Sequence, residues 1–452
     1  MNRLDRPAEA DDNSQMDTVN TLSRCAERRH SLQLRMGQGV AVIPTAPARV
    51  RNRDSEYLYR FDSYFYYLSG FSEPDAVLVL VAGHQPKSVL FCRDRDPARE
   101  LWDGVRIGPE GAKTNFGVDE AFPIGALDEQ MPRLLANQPV LHYAPGADPA
   151  WDAHIMGWLN EVRAQARSGI AAPAEIRDLR TALDEMRLFK DDSELAVMRR
   201  AAAISAAAHE RAMRATRPGR GEYEIEAELL YEFRRRGSQY PAYTPIVAGG
   251  ANACILHYRE NSARLADGDL LLIDAGCELD GYASDVTRTF PVNGKFSGSQ
   301  KDIYELVLAA QAAAIAAVKA GNRWDEPHNA AVSVLARGFV DLGLCSGTVE
   351  KVIETEDYKR FYMHRTGHWL GLDVHDAGEY KSGGEWRRLE PGMTLTVEPG
   401  CYVRPADNVP RPFWNIGVRI EDDVAVTTDG CEVLTAAAPK SVRALEALVG
   451  RD

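Results

Sequence analysis

The chain is short of basic residues: 53 Lys and Arg stand against 66 Asp and Glu, a formal net charge of −13 at pH 7. That balance speaks against general nucleic-acid binding, which needs basic surface to displace counterions. It also lacks any apolar run near the ~20 residues that a membrane-spanning helix needs. The polar, acidic stretch 1–20 shows no basic region followed by an apolar one, so no secretory leader is expected there. Cysteine is sparse and unpatterned: Cys25, Cys92, Cys254, Cys277, Cys345, Cys401 and Cys431 form no CxxC pair. Such spacing fits free thiols in a reducing compartment better than a disulfide framework, and a cytoplasmic location is expected.

What remains is the composition of a globular protein, 45% hydrophobic and 26% charged, on a chain of 452 residues that is too long for one core. We read residues 1–20 as a loose tail, 21–172 as a smaller mixed α/β domain and 173–452 as a second α/β domain. In the first domain, Val40 to Pro44, Tyr64 to Leu68, Ala76 to Val81 and Ser88 to Cys92 read as short strands, with helices at Ala126 to Asn137 and Trp151 to Ala166. His30, His84, His142 and His154 stand alone and read as ordinary surface or core residues. A hinge is expected at Gly169 to Pro173. Beyond it, Asp192 or Ser193 caps a long helix that Pro218-Gly219 ends, and Glu222 to Arg236 forms a second. Ser299 then caps a helix to Ala320, followed by one over Asp325 to Leu342. The order helix, helix, strands, twice over, is that of an internal pseudo-repeat.

The second domain is organised around Leu270 to Phe290, LLLIDAGCELDGYASDVTRTF. An apolar run enters, Asp280-Gly281 is a strong two-residue turn signal, and Tyr282 to Phe290 leaves as a second strand. With that loop, Asp274 lies opposite Thr287, and Asp285 falls two residues away on the same face. Diagonal neighbours of this kind are ~7–8 Å apart, within reach of a shared cation or cation pair. Two bare carboxylates that close repel, so a metal is the cheaper way to keep both ionised.

Downstream, MHRTGHWLGLDVHD holds His364, His368 and His375. Gly367 and Gly371 argue against a continuous helix, so these histidines are expected on loop and strand. In TLTVEPG, Glu398 alternates away from the core face just before a Pro-Gly stop, and in IGVRIED, Arg419 and Glu421 share a face and can pair. One imidazole and four carboxylates on separate elements make an oxygen-rich set suited to two divalent ions, Mn(II) foremost, with Co, Zn or Mg as alternatives. Two such ions ~3.5–4 Å apart can hold a bridging water and lower its pKa towards ~7, which is hydrolytic chemistry.

With these residues in view, the chain resembles the Xaa-Pro aminopeptidases (aminopeptidase P) of the pita-bread metallopeptidase group. The likeness rests on FDSYFYYLSGFSEPDAVLVL and CRDRDP in the first half, and on IVAGGANACILHY, LLIDAGCELDGYASDVTRTF, HRTGHWLGLDVHD, LTVEPG and IGVRIEDD in the second. It implies a pita-bread catalytic domain at 173–452 behind an aminopeptidase-P-like domain at 21–172. It implies Asp274, Asp285, His368, Glu398 and Glu421 as ligands of two metals, with Asp285 and Glu421 bridging and Glu398 also the general base. It further implies His257 and His375 as substrate-positioning residues, His364 near the leaving group, Arg419 and Tyr243 behind the ligands, and Trp102 as a substrate-side aromatic.

The expected reaction is removal of an N-terminal residue that precedes proline, from peptide substrates, by a homo-dimer or homo-tetramer. The nearest alternative is an Xaa-Pro dipeptidase (prolidase), for which Arg404 or Arg411 could supply the cation that captures a dipeptide's carboxylate. A catalytically inactive pita-bread binding module is disfavoured, because none of the five ligand positions is lost.

Overall fold

The computed structural model describes residues 11–451, with side chains from residue 23 onward. It divides into two compact units, 1–186 and 187–452. The expected hinge at 169–173 therefore falls inside the first unit, because the strand Glu175–Asp178 that follows it completes the first unit's sheet.

That sheet has six strands in the order 120–123, 87–92, 77–82, 39–44, 140–143, 175–178. The pairings mix directions: Gly39–Pro44 runs antiparallel to Val77–Ala82 and parallel to Val140–Tyr143. Helices Leu127–Leu135 and Pro149–Ala164 supply the residues that cover its core. Two expectations fail here. Tyr64 to Leu68 is helical, within Ser63–Ser69, since the Asp62 carboxylate accepts from the Phe65 amide at 2.9 Å and Gly70 closes the helix at φ 66°. The capping chemistry outweighs the strand preference of the aromatic run. Residues 11–20, expected as tail, belong to helix Asp11–Met36, a stretch with no Gly or Pro to break it; residues 1–10 lie outside the described residues.

The second unit is built on the anticipated doubling. Helix Asp192–Ala215 packs on Glu222–Arg235, and helix Gly298–Ala317 on Glu326–Asp341. The caps are Asp191 and Ser297, each in a reciprocal capping box with Glu194 and Gln300. One continuous apolar core runs through these helices and the strands. No disulfide forms among the described residues, where six cysteines are buried and Cys431 is half-buried.

The central hairpin keeps its expected register at its base, with Leu270–Asp274 antiparallel to Thr287–Pro291 and Asp274 opposite Thr287. Asp280 and Gly281 both have positive φ, 50° and 84°, as a tight type I′ turn requires. The hairpin is not one ladder, however. Past Asp274 it passes into a different sheet, where Cys277–Leu279 pairs with Tyr282–Ala283 and Tyr240–Pro241. At the break a Cβ on Gly276 would lie 1.6 Å from the Ser284 carbonyl oxygen, so only glycine fits the crossing.

The second half repeats the device. Thr394–Val397 pairs with Asp422–Val426, and Gly400–Val403 with Ile416–Arg419, in separate sheets. Glu398 and Glu421 therefore sit where each strand leaves one sheet for the next.

Candidate metal centre

These breaks in pairing aim the acids at one point. Segment 366–370 runs beside 394–398, with Glu398 N donating to Thr366 O at 2.8 Å and Thr396 N to His368 O at 2.9 Å. Gly367 permits the approach, since a Cβ there would be 2.1 Å from Thr396 O. No helix forms, as expected, but no strand forms either, and His364, His368 and His375 all project from irregular backbone.

Ligand atoms of Asp285, His368 and Glu421 all lie within 4.8 Å of one another. His368 Nε2 is 3.4 Å from Asp285 Oδ2 and 3.9 Å from Glu398 Oε1. Its Nδ1 faces the Trp369 carbonyl at 2.9 Å, which leaves Nε2 turned into the cluster. Asp274 joins through Tyr243, whose hydroxyl lies 2.5 Å from both Asp274 Oδ1 and Asp285 Oδ1. Asp285, His368 and Glu421 thus form the heart of the cluster, with Glu398 reaching it beside His368 and Asp274 through Tyr243.

The electrostatics show why the set suits cations. Burial, with the charges of Asp285, Glu398 and Asp274 added, holds the Glu421 carboxyl well above the ordinary range. Burial pushes Glu398 up to about 7. For His368, burial pulls downward, but the hydrogen bond to Asp285 and the charges of Asp285 and Glu398 prevail and raise it to about 9. Two buried and two half-buried carboxylates with one imidazole cannot all take their ligating forms without compensating positive charge, and one arginine is too little. A pair of divalent ions fits this oxygen-rich donor set.

That arginine is Arg419, and its partners differ from the expected ones. It donates to Asp274 Oδ2 at 2.6 Å, to Thr287 Oγ1 at 3.1 Å and to the Tyr402 hydroxyl at 2.9 Å. Glu421 instead accepts from Thr287 Oγ1 at 2.6 Å. The alternation argument failed because Ile420 and Glu421 lie at the sheet change, where a period of two no longer holds.

Around this centre stand the three other histidines. His364 Nε2 is 2.8 Å from Tyr402 OH, and burial together with Arg419 lowers it to about 3. His375 is edge-on to His368, ring centroids 4.4 Å apart, and His257 is exposed on the loop before Tyr258. Trp102 lies in the first unit on helix Pro97–Asp103, 86% exposed. Arg404 gives two N–H groups to the Cys254 carbonyl, and Arg411 lies over the Trp414 ring. Tyr402 and Thr287 were missed by sequence reasoning. Thr287 carried a signal, its position opposite Asp274, whereas Tyr402 in the strand GCYV carried none.

A buried cluster of acids around one histidine, on a twice-repeated helix-pair and strand frame, defines a metal-dependent hydrolase. Residues 196–428 match the model of Metallopeptidase family M24, and residues 25–142 that of the Aminopeptidase P N-terminal domain. The chain is 45% identical over 425 residues to the Xaa-Pro aminopeptidase of Escherichia coli, covering 93% of this chain and 96% of that one. Among solved structures it is similar to Pseudomonas aeruginosa aminopeptidase PepP, at 55% identity and a TM-score of 0.93, covering 94% and 97% of the two chains. It is also similar to Zn-substituted E. coli aminopeptidase P in complex with product, at 44% identity and a TM-score of 0.92, covering 94% and 98%.

The chain belongs to metallopeptidase family M24, in its Xaa-Pro aminopeptidase (aminopeptidase P) branch. Its fold is that branch's N-terminal domain followed by a pita-bread catalytic domain, and membership implies a divalent metal. Among the described residues, no helix is long and apolar enough to cross a membrane.

Proposed function

We propose that the chain removes the N-terminal residue from peptides whose second residue is proline, with two divalent ions, manganese foremost, held by Asp274, Asp285, His368, Glu398 and Glu421. The observation that carries this reading is the gathering of Asp285, Glu421 and Glu398 about His368, with Asp274 tied in through Tyr243. These five side chains would hold the ions between them. When bound, the ions supply an activated water and a polarised carbonyl.

The chain's own residues do the rest. Glu398 takes up a proton from the attacking water and delivers it to the departing prolyl nitrogen. His257 and His375 hold the substrate and steady the developing oxyanion, and His364, fixed by Tyr402, stands on the leaving-group side. The carboxylates give the substrate's free α-amine a counter-charge, which accounts for exopeptidase action. The prolyl nitrogen has no N–H and its ring fixes φ, so a site that grips metal-side atoms handles a bond that backbone-gripping sites handle poorly.

Hydrolysis of X-Pro-Y peptides and X-Pro dipeptides, before and after chelation and with Mn(II) restored, tests the reading. Cleavage of X-Pro-Y that chelation abolishes supports it. Cleavage of dipeptides alone supports the prolidase reading, and cleavage indifferent to chelation overturns both. Two of Arg404's N–H groups are directed at the Cys254 carbonyl, which counts against that alternative. We also infer a cytoplasmic homo-oligomer, dimer or tetramer, a state that sedimentation measures.

A further inference from the structure

The loop that carries His257 joins strand Ile246–Gly249 to strand Leu270–Asp274, and its fixing point lies on neither strand. Glu222, the first residue of helix Glu222–Arg235, is fully buried. Its Oε1 accepts from the Gly249 amide at 2.8 Å and from Asn252 Nδ2 at 3.0 Å. Its Oε2 accepts from the Tyr258 hydroxyl at 2.8 Å and from the Ala263 amide at 2.8 Å. Gly249 and Asn252 precede His257 and Tyr258 and Ala263 follow it, so one carboxyl group ties down the loop on both sides of the histidine.

His257 lies between these anchors. Its ring is exposed, so the course of the loop backbone sets its direction. Its neighbour Tyr258 is 7% exposed and drawn inward by Glu222, which leaves residue 257 facing out. His257 is near enough to His364 and His375 for its charge to bear on both. Asn261 stiffens the exit, with Oδ1 accepting from the Val247 amide at 3.0 Å and Nδ2 donating to the Pro245 carbonyl at 2.9 Å.

We propose that Glu222 is the positioning residue for His257, holding through Tyr258, Asn252 and the loop ends the orientation in which the imidazole meets substrate. This rests on the reading above that His257 contacts the peptide. A frame that is merely structural would support the fold without regard to His257; a positioning frame loses its value once the imidazole is gone.

The test is a pair of double-mutant cycles on the full-length, Mn(II)-loaded protein: Glu222→Gln and Tyr258→Phe, each alone and combined with His257→Ala. We measure kcat and KM on an X-Pro-Y peptide, metal content and thermal stability. Glu222→Gln is expected to lower kcat/KM about 10²-fold and Tyr258→Phe about 5-fold, since small misplacements of a positioned group cost rates of that order. Metal content stays unchanged. In the His257→Ala background each further loss shrinks to less than about 2-fold.

Losses that multiply fully with His257→Ala overturn the proposal, as does a Tyr258→Phe variant with wild-type kinetics. Should Glu222→Gln fail to fold, the Tyr258→Phe cycle alone decides. A wild type inactive on these peptides would sink the proposed function instead. Amide exchange then reads the positioning claim: protection across 249–263 must fall in Tyr258→Phe while the remainder of the unit holds, and an unchanged loop rejects it.

Discussion

Thr287 does more at the centre than its size suggests. Its hydroxyl donates to Glu421 and accepts from Arg419, so it keeps the acid turned inward while tying the arginine to the same strand. Thr287→Val keeps the shape and removes both bonds. Metal affinity should fall about 10–100-fold in competition with a chelator, as happens when a ligand's supporting partner is lost; an unchanged affinity would refute the role. Glu398→Gln keeps an oxygen in place but cannot take up a proton. Its kcat should drop by about 10²–10⁴, and a near-normal kcat would move the proton transfer elsewhere. Behind the hairpin, fully buried His209 hydrogen-bonds the Ala275 carbonyl at 2.9 Å, and burial lowers its pKa from 6.5 to about 4. The unfolded chain therefore takes up a proton at a pH where the folded one does not. The neutral ring's contribution is whole above pH 6.5 and is lost as pH falls towards 4, roughly 3 kcal/mol in all. In the presence of chelator, the melting temperature should decline across that window and do so less in His209→Gln.

At the level of elements, what could be read from sequence was whatever obeyed a regular period. The base of the hairpin, its Asp-Gly turn and the four long helices of the second unit follow from alternation, turn chemistry and breakers, whereas helix Asp11–Met36 does not. The acids were found through their spacing, yet three of them act from places where regularity stops. Asp285 lies beyond the Gly276 crossing, Glu398 after Val397, and Glu421 between Arg419 and Asp422. Alternation says nothing about direction at such points, which is why Arg419 was paired with the wrong acid. The helix at Ser63–Ser69 escaped because its evidence is the flanking Asp62 and Gly70, not the aromatic run itself. His257 came only from the family likeness, since its partner-framed loop has no periodic signature. Gly276→Ala tests the crossing directly: a Cβ 1.6 Å from a backbone oxygen cannot be absorbed by a side-chain shift. The second unit should lose at least about 3 kcal/mol and its metal site together. A stable variant with full metal content would show that the crossing is dispensable.

For the whole molecule, two compact units with their own apolar clusters imply two unfolding events. Only the second unit holds the acids, so in calorimetry Mn(II) should raise one transition and leave the other in place. Each ion at a hundred times its dissociation constant adds about 2.7 kcal/mol to that one transition; a joint shift of both would mean that the units melt together. The distribution of thiols offers an independent clock for the same opening. Burial pushes Cys92 and Cys345 up to about 12, and Cys254 and Cys277 up to about 11, and raises half-buried Cys431 as well, so a maleimide dye reaches little in the intact enzyme beyond Cys431, the one cysteine that is not buried. Labelling beyond one dye per chain would therefore tick only when a core comes apart, and the positions that acquire dye first would name the unit that yields.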